Sequence, residues 1–176
     1  MKNNLYTIGV EEEYMICDPL SGDLIDKADF IMDSIEKKYK NRFSYELILS
    51  EIEANTSVND NLNDTIDEVS KLRNMLKDIG QKNNFSLGIS GTHPTAMSNE
   101  QNFVNNESYN WVQKELKYYA SKNMTFSVHV HIGLDDKEKL IHVTNSLRRW
   151  ISPMLALTTN SPFFEGVNTG MKSSRT

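Results

Sequence analysis

Between Leu5 and Ile16 the chain alternates. Tyr6, Ile8, Val10, Tyr14 and Ile16 share one parity, and Thr7, Gly9, Glu11 and Glu13 share the other. A period of two with an apolar, β-favouring face predicts a half-buried strand. Asp18-Pro19-Leu20-Ser21-Gly22-Asp23 then has the residue chemistry of a turn. Lys27 to Tyr39 predicts a helix with Phe30, Ile31, Ile35 and Tyr39 on one face, and Phe43 to Thr56 predicts a second strand region. Leu62, Ile66, Val69, Leu72, Leu76 and Ile79 recur at steps of three and four. That spacing predicts an amphipathic helix, ended by Gly80 and Asn83-Asn84. A short strand over Phe85 to Ser90 leads into Gly91-Thr92-His93-Pro94, and Asn106 to Lys122 predicts another helix.

Alternation returns from Thr125 to Leu134. Phe126, Val128, Val130, Ile132 and Leu134 form one face, opposite Thr125, Ser127, His129, His131 and Gly133. Asp135 or Asp136 can cap a last helix towards Asn160, which Pro153 should kink or break. The strands are two-sided and separated by helices. That combination predicts an α+β fold, an antiparallel sheet with helices packed on one face.

Composition narrows the class. The 176 residues suffice for one domain with a real core. A hydrophobic fraction of 38% and a charged fraction of 24% are those of a globular chain. The net charge of −5 argues against a nucleic-acid partner, which needs a basic face. Cys17 is the single cysteine, so no intrachain disulfide forms, and a reducing cytoplasm is the simplest compartment. Met1-Lys2-Asn3-Asn4 opens no apolar signal core, and no apolar run is long enough to span a membrane.

Candidate chemistry sits on the polar faces. Glu11 and Glu13 come from the first strand, Glu46, Glu51 and Glu53 from the second region, and His129 and His131 from the last strand. If the apolar faces pack under the same helices, the polar faces converge. Carboxylates gathered there repel one another unless a cation neutralises them. Hard oxygen ligands with an imidazole suit Mg2+ or Mn2+, the ions that serve phosphoryl transfer. The same residues also suit a solvated strand face. Glu46 and Glu53 are seven apart, so a bulge or bend must lie between them if both reach the site.

Five blocks carry a resemblance. They are Gly9-Val10-Glu11-Glu12-Glu13-Tyr14 with Asp18-Pro19 and Gly22-Asp23-Leu24; Glu46, Glu53, Asn55 and Thr56; Gly91-Thr92-His93-Pro94; His129-Val130-His131-Ile132-Gly133; and Asn160-Ser161-Pro162-Phe163, Gly166, Thr169-Gly170 and Ser174-Arg175. In this order they resemble the glutamate–cysteine ligase type 2 family of bacterial carboxylate–amine ligases. The resemblance implies a glutamine-synthetase-like curved antiparallel sheet, with residues 1–176 as the N-terminal part of the catalytic domain and the sheet incomplete. It implies ATP and Mg2+, with Mn2+ as the alternative ion, and glutamate plus cysteine or another amine as substrates. By resemblance Glu11, Glu13, Glu46, Glu53 and His129 are metal ligands, and Arg175 and His131 are catalytic. Thr92, His93, Asn160 and Thr169 are then substrate-binding. An incomplete sheet leaves an open edge, from which self-association into a homo-oligomer or partial disorder around Gly166 to Thr176 is expected. Two rivals remain: a metal-dependent hydrolase using the same ligands without ATP, and a non-catalytic truncated family member.

Overall fold

The computed structural model describes residues 6–175. Met1 to Leu5, with the start of the predicted strand and the stretch argued to be no signal segment, lie outside the described residues, as does Thr176.

Strand β1, Thr7–Cys17, is the centre of the sheet. One of its edges pairs antiparallel with β3, Glu51–Asn55, from Glu11↔Asn55 to Met15↔Glu51. Its other edge is shared by two strands. Strand β5, Val128–Gly133, pairs with Thr7 to Glu12, and β4, Ser86–Gly88, pairs with Met15 to Cys17. Strand β2, Phe43–Tyr45, lies outside β3. The α+β expectation therefore holds at the level of an antiparallel sheet with separate helices.

Both faces of β1 are buried towards its C-terminal end. Tyr14 and Ile16 join Ile52, Ile31, Leu72, Leu76 and Phe85 in one core. That core lies under α1, Ala28–Ser34, and α2, Leu62–Asn83. Met15 and Cys17, of opposite parity, join Leu47, Ile48, Met124 and Phe126 in a second core. Tyr109 and Val112 of α3, Glu107–Leu116, pack against that one. Helices thus pack on both faces of the sheet around the C-terminal half of β1, which corrects the one-face expectation: the polar parity of β1 turns apolar after Glu13. Leu76→Ala removes a side chain with no exposure and will destabilise the chain by about 3 kcal/mol in urea unfolding. A loss under 1 kcal/mol would mean the core closes around the void.

The long helix α2 starts and stops as its sequence requires. Asn61 caps it by accepting from the Asp64 N–H, and Asn84 ends it in the left-handed region at φ 55°. Two other predicted helices are interrupted. The first stops at Ser34, because Ile35 turns extended while its side chain stays in the core. A 3-10 turn over Lys37–Arg42 then leads into β2. The helix predicted over Asn106 to Lys122 breaks at Lys117, φ 49°, before the short α4, Tyr118–Lys122, which buries Ala120. The break predicted for Pro153 falls just before it. Helix α5, Lys137–Leu147, is capped by Asp136. A 3-10 turn over Arg148–Trp150 follows, and α6, Ile151–Thr158, takes the proline in its first turn.

The described residues from Gly166 to Arg175, where partial disorder is one expectation, are folded. Strands β6, Phe163–Phe164, and β7, Val167–Asn168, pair in a hairpin. Ser161 bridges Ser173, and the Ser174 N–H donates to the Ser161 carbonyl at 2.7 Å. No helix among the described residues is long and apolar enough to cross a membrane.

Candidate cation-binding and catalytic site

Register on β1 assembles the site. Glu11 lies directly opposite His129 on β5, and Glu13 directly opposite Glu53 on β3. All four share one face, as their parities require. Glu12, between the two glutamates, points the other way. Its carboxylate accepts from the Tyr14 hydroxyl and from Arg73 Nη2 of α2 at 2.5 Å. It is a structural ion pair on the helix side.

His129 joins two groups of ligand-type side chains. Its Nδ1 is 3.0 Å from Glu11 Oε2, which is also 3.1 Å from His131 Nε2. Its Nε2 is 2.9 Å from Ser127 Oγ and 3.9 Å from Glu13 Oε1. Glu11, His129 and His131 form one group, and Glu13, Glu53 and His129 the other. Within each group one ligand atom per residue lies within 4.8 Å of the rest. The hydrogen bond from His129 holds the Glu11 carboxyl below its ordinary range. Ser127 Oγ donates to Glu13 Oε2 at 2.6 Å, and Asn55 Nδ2 donates to Glu53 Oε1 at 2.8 Å.

The stretch from Phe43 to Thr56 is two strands of a reversal rather than one. Glu46 sits in the connection between β2 and β3, and Ser44 pairs with Glu53. The bend required between Glu46 and Glu53 is thus a complete turn of the chain. It brings Glu46 beside Glu53 and Glu13. Burial, and then the charges of Glu53 and Glu13, push Glu46 up to about 7. Glu51 is more extreme. Burial, followed by Glu13, Glu46 and Glu53, raises it well above the carboxylate range, and its Oε1 has no hydrogen-bond partner. Glu51 shares the parity of Glu53, and that was its sequence signal. The resemblance did not select it.

These raised carboxyls have a consequence for stability. Folded Glu46 titrates near 7, whereas its ordinary value is 4.5. Between those values the folded chain holds a proton that the unfolded chain releases, so stability falls as pH rises from 4.5 through 7. Urea unfolding without divalent cations will show a less stable chain at pH 8 than at pH 5, and Glu46→Gln will flatten that difference. An unchanged slope in the variant would remove Glu46 from the acidic group.

The remaining predicted residues divide. Arg175 lies beside the carboxylates. It lines a cavity of about 470 Å3 with Glu13, Ser127, His129 and Asn160, and its Nη1 donates to the Phe126 carbonyl at 2.8 Å. Asn160 Oδ1 accepts from the Gly91 N–H at 3.1 Å, and a Cβ on Gly91 would meet that oxygen at 3.0 Å. Gly91 is therefore glycine so that residues 160 and 161 can close on it. His93 is a correction. It is buried, its Nε2 lies 2.9 Å from the Gly22 carbonyl, and its Nδ1 accepts from the Thr95 and Ala96 N–H groups. Both ring nitrogens are taken by backbone, so His93 holds two loops together and has none left for substrate. Thr92 and Thr169 line a second cavity with Arg175, and their hydroxyls also hold the chain together. Thr92 donates to the Phe163 carbonyl and Thr169 to the Pro162 carbonyl, both at 2.8 Å, which pins the β6–β7 hairpin.

Fold and site together define an α+β protein that converges carboxylates and imidazoles on one sheet face. The family profile described as Glutamate-cysteine ligase family 2 matches residues 7–176. The chain belongs to that family. Among its relatives is a protein of Solibacter usitatus provisionally named glutamate–cysteine ligase 2. It is 36% identical over 173 residues, which are 96% of this chain and 44% of that protein. A Rhodopirellula baltica protein with the same provisional name is 33% identical over 174 residues, 96% of this chain and 47% of the other. A third, from Rubrobacter xylanophilus, is 34% identical over 173 residues, 98% and 46%. The chain spans less than half the length of these relatives.

Proposed function

We propose that this chain carries the cation-binding face of an ATP-dependent carboxylate–amine ligase that joins glutamate to the amine of cysteine through an acyl phosphate. The observation that carries the reading is the convergence of Glu13, Glu53 and His129 beside a cavity that Arg175 also lines. In the same reading residues 1–176 are the N-terminal part of the catalytic domain, the sheet is the start of a glutamine-synthetase-like one, and the protein is cytoplasmic.

The donor set fits a hard divalent cation. Its oxygens come from Glu13 and Glu53, with Glu46 and the unpartnered Oε1 of Glu51 beside them. Carboxyls pushed up by mutual charge are what a cation relieves. Bound Mg2+ or Mn2+ neutralises phosphate charge during transfer. The protein's own residues do the rest. Glu13, Glu53 and His129 would hold that cation and, through it, orient the phosphate end. Arg175 has five N–H donors, one of which goes to Phe126, and the others bind a substrate carboxylate or phosphoryl oxygen. His131 stands beside Glu11 at the outer group, where its imidazole would serve as a hydrogen-bond donor to a substrate oxygen. Binding the two substrates in one orientation supplies much of the rate.

The chain spans less than half the length of its relatives, so turnover is tested at the relatives' full length. The test is a chimera in which this chain replaces the matched region of the Solibacter usitatus relative. Phosphate release from ATP should require glutamate and cysteine together. Release that ignores the amine, or hydrolysis without ATP, would replace the ligase with the hydrolase.

A further inference from the structure

A further cavity lies on the helix side of the sheet, away from the carboxylates. Tyr14 and Ile16 of β1 pack towards α2, and Leu87 of β4 pairs with Ile16 there. Between α2 and the β4 segment the chain leaves a space of about 350 Å3. Arg73, Lys77 and Gln81 line it from the helix, and Phe85, Ser86 and Leu87 from the strand side. Ile89 lines it too, and is the one residue it shares with the cavity beside Glu13.

Packing fixes the apolar wall. The Phe85 N–H donates to the Gly80 carbonyl at 3.1 Å. A Cβ on Gly80 would meet the Phe85 carbonyl at 2.6 Å and its ring at 3.0 Å. Gly80 is therefore glycine so that Phe85 can close on the end of α2. Phe85 is buried there and Leu87 half-buried.

The other wall is a row of donors. Arg73, Lys77 and Gln81 follow at steps of four, so they stand one above another on one side of α2. Arg73 gives Nη2 to Glu12 and Nε to the Tyr14 hydroxyl, so three of its five N–H groups have no partner among the described residues. The side chains of Lys77, Gln81 and Ser86 have none there either. No acid lines the cavity, and Glu12, outside it, holds Arg73 in place. Cations four apart on a helix repel each other, and an anion between them removes that repulsion.

We propose that this cavity binds a phosphate monoester carried on a flat apolar body, on the opposite face of the sheet from the cation-binding group. Lys77 and the free donors of Arg73 select an anion. Together with Gln81 and Ser86 they offer more N–H and O–H groups than the two oxygens of a carboxylate accept, whereas a phosphate monoester brings three oxygens. Phe85, Leu87 and Ile89 take the apolar body. Arg73 binds the phosphate without releasing Glu12, because different N–H groups serve the two.

Nuclear magnetic resonance of the isotope-labelled chain, titrated with phenyl phosphate without divalent cations, tests this. Saturable shifts are expected at the amides of Arg73, Lys77, Gln81, Ser86 and Leu87. Phenyl phosphate should bind at least tenfold tighter than inorganic phosphate, which lacks the ring, and than benzoate, which lacks the third oxygen. Lys77→Glu, at an exposed position, should weaken phenyl phosphate at least tenfold and leave circular dichroism unchanged. Shifts confined to the neighbourhood of His129 and Arg175 would overturn the proposal by moving the phosphate to the cation-binding face. Inorganic phosphate or benzoate binding as tightly as phenyl phosphate would overturn it too. So would a Lys77→Glu variant that binds as the parent does.

Discussion

Replacing Glu13 and Glu53 together by Gln will weaken Mn2+ binding at least a hundredfold. The two carboxylates face each other across β1 and β3, and both lie within 4.8 Å of a His129 ring nitrogen in one ligand group. Gln keeps the shape and hydrogen-bonding reach but removes both charges, so the loss reports ligation rather than unfolding. The acidic group also sets the pH dependence. Glu46 sits near 7 because of burial and of Glu53 and Glu13, and a cation in the same space favours its ionised form. Binding will therefore release protons at pH 6, strengthen as pH rises through 7, and level off once Glu46 has ionised in the free chain. Calorimetry in two buffers of different ionisation enthalpy counts those protons. Binding that survives in the double variant, or that does not change between pH 6 and 8, would leave a solvated acidic face and no cation site.

Much of this site was legible because strand parity survives folding. The pairs Glu11–Glu13, Glu51–Glu53 and His129–His131 were placed on common faces by spacing alone, and register then did no more than set them opposite one another. The helix α2 was equally plain, since its periodicity runs unbroken between two asparagine caps. Other features depend on contacts between distant segments. Nothing local marks Lys117 for a positive φ, and only the burial of Ala120 beyond it gives that break a reason. His93 looked like a substrate residue because its motif follows a strand. Its nitrogens are instead taken by Gly22, 71 residues away, and by two backbone N–H groups of its own loop. A bulge or bend between Glu46 and Glu53 was inferred from a parity conflict, but that it is a full reversal between two paired strands was not. The exposed apolar face of β5 could not have been inferred, because alternation says which side should be covered and not what covers it.

The contrast between His129 and His93 separates chemistry from architecture in the intact-length chimera. His129→Ala will lower kcat/KM for ATP-dependent ligation by about a thousandfold, which is about 4 kcal/mol of transition-state stabilisation. The reason is position: one ring nitrogen meets Glu11 and the other faces Glu13, so its removal unmakes both ligand groups at once. Stability will barely change, because the ring is about half exposed and packs against no core. His93→Ala will do the reverse. It strips a buried side chain of three backbone hydrogen bonds and leaves the Gly22 carbonyl and two N–H groups unsatisfied, a loss of about 2 kcal/mol or more. The folded fraction will keep most of its activity, since His93 touches neither ligand group. Urea unfolding and turnover per folded molecule, measured on both variants, give the two axes. A His93 variant with normal stability and lost turnover would return that residue to the substrate side. A His129 variant that still ligates glutamate to cysteine at the parent rate would place the chemistry away from the β1–β5 face.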